Sequence, residues 1–208
     1  MKRLDEMPKK RDRTRDQLLE AALRVIARRD IGEVSIREIA AEALVANGTF
    51  YNYFRTKDEI VAALSARLAA DFADALTALD IVDPAERAAI AIRSLISNAL
   101  ADPNLGWALV RITESGRAQH LVDCFLQDLR AGIICGRFAV SCELAAIDLA
   151  FGATLSAMRA VLGARAGAGH DIATTELVLR GLGVPSAEAH DITRRPLPPV
   201  FIRVGQSA

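Results

Sequence analysis

Apolar residues recur along this chain at helical spacing. Leu19, Ala22, Leu23 and Ile26 fall at i, i+3, i+4 and i+7, which places them on one face of a helix. Ile36, Ile39, Ala40 and Ala43 form a shorter stripe, and Ile60, Leu64 and Leu68 a longer one. Start signals accompany these runs. Thr14-Arg15-Asp16-Gln17, Ser35-Ile36-Arg37-Glu38 and Thr56-Lys57-Asp58-Glu59 each have the form of a capping box. In that motif a hydroxyl accepts from a free backbone N–H and the side chain three residues on reaches back. Asp30-Ile31-Gly32 stops the first helix. Leu44 to Phe54 leaves room for a tight turn and a two-turn helix. The pattern predicts three short helices followed by a long connecting one.

The rest of the chain carries the same punctuation. Asp83-Pro84 and Asp102-Pro103 each set a capping residue before a proline suited to the first helical position. Apolar periodicity then covers 90–100, 105–112 and 121–134. The stretch 143–162 is apolar around most of its circumference and is expected to be buried on several sides. The segment 163–169 is a flexible break, and a last long helix is expected over 173–182, ended by Gly183. Pro196, Pro198 and Pro199 resist helix, so the tail is expected to lie over the surface. The chain shows no internal repeat. Aromatics are only 5% of the residues, and that scarcity disfavours sheets. The fold class that follows is all-α: a head over 10–55, a larger helical body over 56–183 and a Pro-rich tail over 184–208.

Charge changes the picture only locally. The 26 basic and 26 acidic residues cancel. The first fifteen positions nonetheless hold seven basic residues: Lys2, Arg3, Lys9, Lys10, Arg11, Arg13 and Arg15. Such an arm either follows a phosphate backbone or is a solvated terminus. Cys124, Cys135 and Cys142 form no CxxC pair and have apolar neighbours, which reads as buried free thiols in a reducing cytoplasm. No apolar signal core stands at the N-terminus and no uninterrupted apolar run reaches the roughly 18 residues of a bilayer span, so a cytoplasmic protein is expected. No phosphate loop, metal cluster or nucleophile motif is present, which argues against an enzyme and against a cofactor.

The informative segment is Ser35 to Lys57, SIREIAAEALVANGTFYNYFRTK. A short capped helix, a tight turn and a second short helix are the parts of a helix-turn-helix. Phe50 and Phe54, at i and i+4, would pin the second helix to the core. Asn47, Gly48, Thr49, Tyr51, Asn52 and Tyr53 would then face outward. Asn47 and Asn52 can offer amide pairs to base edges, while Tyr53 and Lys57 can hold phosphates.

Ile39-Ala40, Gly48-Thr49-Phe50-Tyr51-Asn52-Tyr53-Phe54 and Lys57-Asp58-Glu59 resemble the signature of the tetracycline-repressor (TetR) family of transcriptional regulators. The resemblance runs in detail from about Arg13 to Leu64. It implies base reading by Arg37, Asn47, Gly48, Thr49 and Tyr51, and phosphate contacts by Ser35, Asn52, Tyr53 and Lys57. It also implies a homodimer on double-stranded operator DNA, released by a small-molecule effector. Two residues depart from the family's turn. Leu44 replaces the glycine that tolerates positive φ, so the turn is expected to be strained or reshaped. Ala46 cannot cap the second helix, unless Asn47 takes over the cap and reads fewer bases.

In the body, Trp107, Arg111, Glu114, His120, Phe125, Phe151 and Met158 are candidates for an effector cavity, as large apolar walls with a few polar groups. The helices at 143–162 and 173–182 are candidates for a two-fold interface. The competing readings are a constitutive DNA-binding regulator without an effector, whose body would hold no adequate cavity, and a helical enzyme, disfavoured by the missing catalytic constellation.

Overall fold

The computed structural model describes residues 6–200, with side chains from Arg11 onward. Those residues form helices and no strand, as the periodicity predicts. The head consists of α1 (Glu6–Ile26), α2 (Ile36–Glu42) and α3 (Asn47–Phe50), and α4 (Lys57–Thr77) leads into the body.

Thr14 lies inside α1 rather than at its start. The capping-box expectation fails there because the charged residues ahead of Thr14 are themselves fair helix formers, and Pro8 sits in the first turn, where its missing N–H is not needed. Arg11, Arg13 and Arg15 of the basic arm are therefore exposed helical residues. Lys2 and Arg3 lie outside the described residues. At α2 the capping box is complete: Ser35 Oγ accepts from Glu38 N at 3.2 Å, and Glu38 Oε2 accepts from Ser35 N at 2.9 Å. These bonds, with Arg29 nearby, hold the Glu38 carboxyl below its ordinary pKa. At α4, Thr56 Oγ1 accepts from Glu59 N, while Glu59 reaches past Thr56 to Arg55 N at 2.6 Å.

The body holds α5 (Pro84–Ala101), α6 (Pro103–Glu114), α7 (Gln119–Ile134), α8 (Glu143–Leu162), α9 (His170–Gly181) and α10 (Ser186–Thr193). Asp83 accepts from Ala85 N, and Asp102 from Asn104 N and Leu105 N, so both Asp-Pro starts behave as their pattern predicts. α5 is the axis, packed against α6, α7, α8, α9 and α10 and burying Ile92, Leu95, Ile96 and Ala99. α1 packs on both α4 and α6, so head and body share one continuous apolar core.

Several expectations need correction. The region taken as tail contains α10, which buries Ala189, Ile192 and Thr193. Proline density after residue 195 hid the helix ahead of it. The segment beyond α10 is tied to α5: Arg93 Nη1 donates to Arg195 O at 2.8 Å and Asn98 Nδ2 to Val200 O at 2.7 Å. Cys135 and Cys142 are exposed at helix ends, and only Cys124 is partly covered. Apolar neighbours in sequence do not bury a residue that a helix terminus turns outward.

α8 also differs. By length and composition it could cross a membrane, although Asp148 and Arg159 interrupt it. One face packs on α5, α6, α7 and α9, but Leu144 and Leu149 are left exposed. α9 comes close beside it, since a β-carbon on Gly181 would overlap the Leu149 side chain. Leu177 of α9 is exposed as well.

Candidate nucleic-acid interface and body cavity

The turn between α2 and α3 has the strain expected of it. Leu44 adopts φ 57° in the left-handed region and is 94% exposed, so no packing compensates it. An L-residue there costs about 1–2 kcal/mol. Ala46 occupies the N-cap with extended backbone and no side-chain hydrogen bond, and Asn47 is the first helical residue rather than a substitute cap. Leu44→Gly is expected to stabilise the head by about 1 kcal/mol, net of glycine's greater freedom when unfolded. Ala46→Ser should add about 1 kcal/mol through a restored cap. Urea unfolding of both variants checks this, and unchanged midpoints would mean an unstrained turn that needs no cap.

With only four residues and no side-chain cap, α3 is held mainly by its rings. Phe50 and Phe54 are buried, their centroids 5.8 Å apart, and Phe54 N donates to Phe50 O at 3.0 Å. Anchoring that side leaves Asn47, Gly48, Tyr51 and Asn52 exposed, with Thr49 and Tyr53 half-buried. A β-carbon on Gly48 would meet nothing within 4 Å, so the surface is open at that point. Arg37 on α2 is exposed and forms no ion pair with any described residue. Arg55 is exposed too and was not singled out from the sequence, because it falls outside the apolar pattern between Phe54 and the Thr56 cap.

Two expected phosphate contacts are already engaged within the head. Ser35 Oγ donates to Glu38 Oε2 at 2.8 Å while accepting from Glu38 N. Lys57 Nζ donates to Ile31 O at 2.7 Å and Gly32 O at 3.1 Å, so it ties α4 to the middle of the α1–α2 loop. One of its three ammonium protons remains.

The seven expected cavity residues do not come together. Arg111 of α6 reaches the head, where Nη1 donates to Ile26 O at 3.0 Å and also to Ala27 O. Its guanidinium lies 5.1 Å from the centre of the Trp107 ring. Glu114 pairs with Arg159 of α8, and His120 is exposed near the start of α7. Arg111 and Glu114 border an open hollow of about 260 Å³ where α6 meets the head, with Asp30, Gly32, Lys57 and Arg117 around it, while Trp107 and His120 border none of the hollows named here. Phe151 and Met158 line a hollow of about 20 Å³, room for little more than one water. Phe151 meets Phe125 edge to face at 5.4 Å. Of the seven, only Phe125 borders a further space enclosed by body helices.

That space is a mostly apolar cavity of about 160 Å³ among α4, α5, α7 and α8. Phe72, Leu76, Ala91, Phe125, Phe138 and Ala150 supply apolar wall. Phe138 reaches it because Gly132 has no β-carbon to overlap its ring. The polar edge is Thr77, Arg87, Cys124, Gln127 and Asp128. Arg87 Nε donates to Asp128 Oδ1 at 3.0 Å and Nη1 to Leu76 O at 3.2 Å. Burial pushes the Cys124 thiol up, with the Asp128 and Asp123 carboxylates adding to the shift, so the thiol stays neutral. No sequence signal joined Arg87 to Asp128, 41 positions apart. Among the described residues no group of three His, Cys, Asp or Glu side chains could hold a metal.

Comparison with known proteins places both parts. Residues 18–64 match the family model for bacterial regulatory proteins of the tetR family, and residues 83–195 the model for the tetracyclin repressor-like C-terminal domain. An uncharacterized HTH-type transcriptional regulator, YvdT of Bacillus subtilis (strain 168), is 36% identical over 62 residues. That match covers 30% of this chain and 32% of YvdT, about a third of the relative's length. The crystal structure of RolR in complex with resorcinol superposes with TM-score 0.71 at 29% identity, covering 93% of this chain and 100% of RolR. FadR of Bacillus subtilis in complex with stearoyl-CoA shares the fold, with TM-score 0.65 at 22% identity over 79% of this chain and 97% of that one.

Proposed function

Because the chain belongs to the tetracycline-repressor family of transcriptional regulators, we propose that it is a repressor that binds operator DNA as a homodimer and is released by a small-molecule effector. The observation that carries the DNA half is the exposed polar surface of α3 standing on the buried Phe50 and Phe54. On this reading Arg37, Asn47, Gly48, Thr49 and Tyr51 contact bases. Asn52 and Tyr53 contact phosphates, joined by Arg55 and by the remaining donor of Lys57, while Ser35 contributes mainly as a cap. Residues 10–55 act as the DNA head, and the body extends past 183 to include α10. Such a regulator works in the cytoplasm, where it meets DNA.

The effector half is supported by the 160 Å³ cavity and by the likeness to RolR, whose structure holds resorcinol. The dimer half is supported by the apolar residues left uncovered on α8 and α9. An effector shifts the population toward a state that cannot span both half-sites only if it binds that state more tightly.

Selection of duplex DNA from a random pool on the full chain tests the reading. A palindromic consensus is expected, with half-sites about one helical turn, roughly 34–36 Å, or a multiple of it apart. Asn47→Ala should lose about 1–3 kcal/mol of discrimination at one base position while keeping non-specific affinity. Absence of any consensus would sink the operator reading.

A further inference from the structure

If the body is a sensor, as proposed above, the walls of its cavity set the chemistry of the effector. We propose that the cavity among α4, α5, α7 and α8 takes a neutral, single-ring ligand carrying an O–H or N–H donor, which the Asp128 carboxylate accepts.

Size comes first. The cavity measures about 160 Å³. An engineered apolar cavity of about 150 Å³ in another protein holds benzene. One six-membered ring therefore matches the space in size. Phe72, Phe125 and Phe138 line it, giving an aromatic ligand ring partners from α4, α7 and the α7–α8 loop.

The polar edge then selects among rings. Asp128 gives one acceptor site on Oδ1 to Arg87 Nε, and an ionised carboxylate has about four such sites. It accepts and does not donate, so the ligand group that meets it must bring the proton, whereas Thr77 and Gln127 on the same edge can serve as donors too. Arg87 is matched by Asp128 and held by Leu76 O, which leaves the edge close to neutral overall. A carboxylated ring would set a second negative charge beside Asp128 with no spare cation to offset it, and burying such a charge is costly. The neutral Cys124 thiol adds a weak polar contact and no charge.

Toluene, phenol and benzoate separate these effects, titrated calorimetrically into the full chain. In a purely apolar hole toluene outranks phenol, because phenol sheds its hydrogen bonds to water on entry. An acceptor in the wall reverses the order. Phenol is expected to bind about tenfold more tightly than toluene, the scale of one hydrogen bond to a charged group after that offset. Benzoate is expected to be at least tenfold weaker than phenol. The double variant Arg87→Met/Asp128→Leu removes the pair without leaving an unpaired charge, and there toluene should overtake phenol. Retained toluene binding shows that the double variant is folded. Ala150→Phe, which fills the cavity, should abolish all binding and so locate it. Toluene equal to phenol in the native chain, benzoate binding best, or an order unmoved by the double variant would overturn the donor assignment and leave the sensor reading standing. If none of the three binds at millimolar concentration, the cavity is not an effector site and both readings fail.

Discussion

Phe50→Ala is expected to destabilise the head by about 3–5 kcal/mol and to abolish sequence-specific DNA binding. Phe50 is fully buried and touches both Tyr51 and Phe54, with centroids 5.7 and 5.8 Å away. The short helix α2 has a side-chain cap to help it, but α3 has none. Removing the ring leaves a cavity under four helical residues that little else holds in place. The only tryptophan, Trp107, lies against Arg111 where the body grips Ile26 O and Ala27 O, so its fluorescence reports on this junction during urea unfolding. Tyr51→Ala is the matched control. Tyr51 is 53% exposed, so its loss should hardly change stability yet should weaken operator binding. A Phe50→Ala cost below about 1 kcal/mol would show that other contacts hold α3.

If the chain dimerises through α8 and α9 as proposed, Leu177→Glu is expected to leave it monomeric at low micromolar concentration. In the single chain Leu177 is 65% exposed, so a carboxylate there costs the fold little. Across a two-fold interface the same substitution enters twice, and each unpaired buried charge costs several kcal/mol. The exposed Leu144 and Leu149 on neighbouring α8 extend the patch. Leu155 is the poorer choice, because it packs partly against the core and a charge there would perturb folding as well as association. Sedimentation of the variant decides: a persistent dimer at low micromolar concentration removes Leu177 from the interface.

Sequence alone determined the local features around the α2–α3 turn. Ser35 and Glu38, the Phe50/Phe54 spacing, and the departures at Leu44 and Ala46 act within a few residues of themselves. Short-range rules of capping, periodicity and backbone sterics therefore foretold both the complete capping box and the positive φ. The same local rules placed the Asp-Pro starts of α5 and α6. They misplaced the start of α1, where charged helix formers continue a helix without an apolar stripe, and missed α10 behind its prolines. Only the tertiary structure decided the cavity and the junction. Arg111 could not be assigned to the carbonyls of Ile26 and Ala27, nor Arg87 to Asp128, because each partnership depends on which helices pack together rather than on chain spacing. The apolar length of α8 was legible, but its uncovered face was not. Hydrophobicity says that a surface should leave water, while packing decides which neighbour covers it.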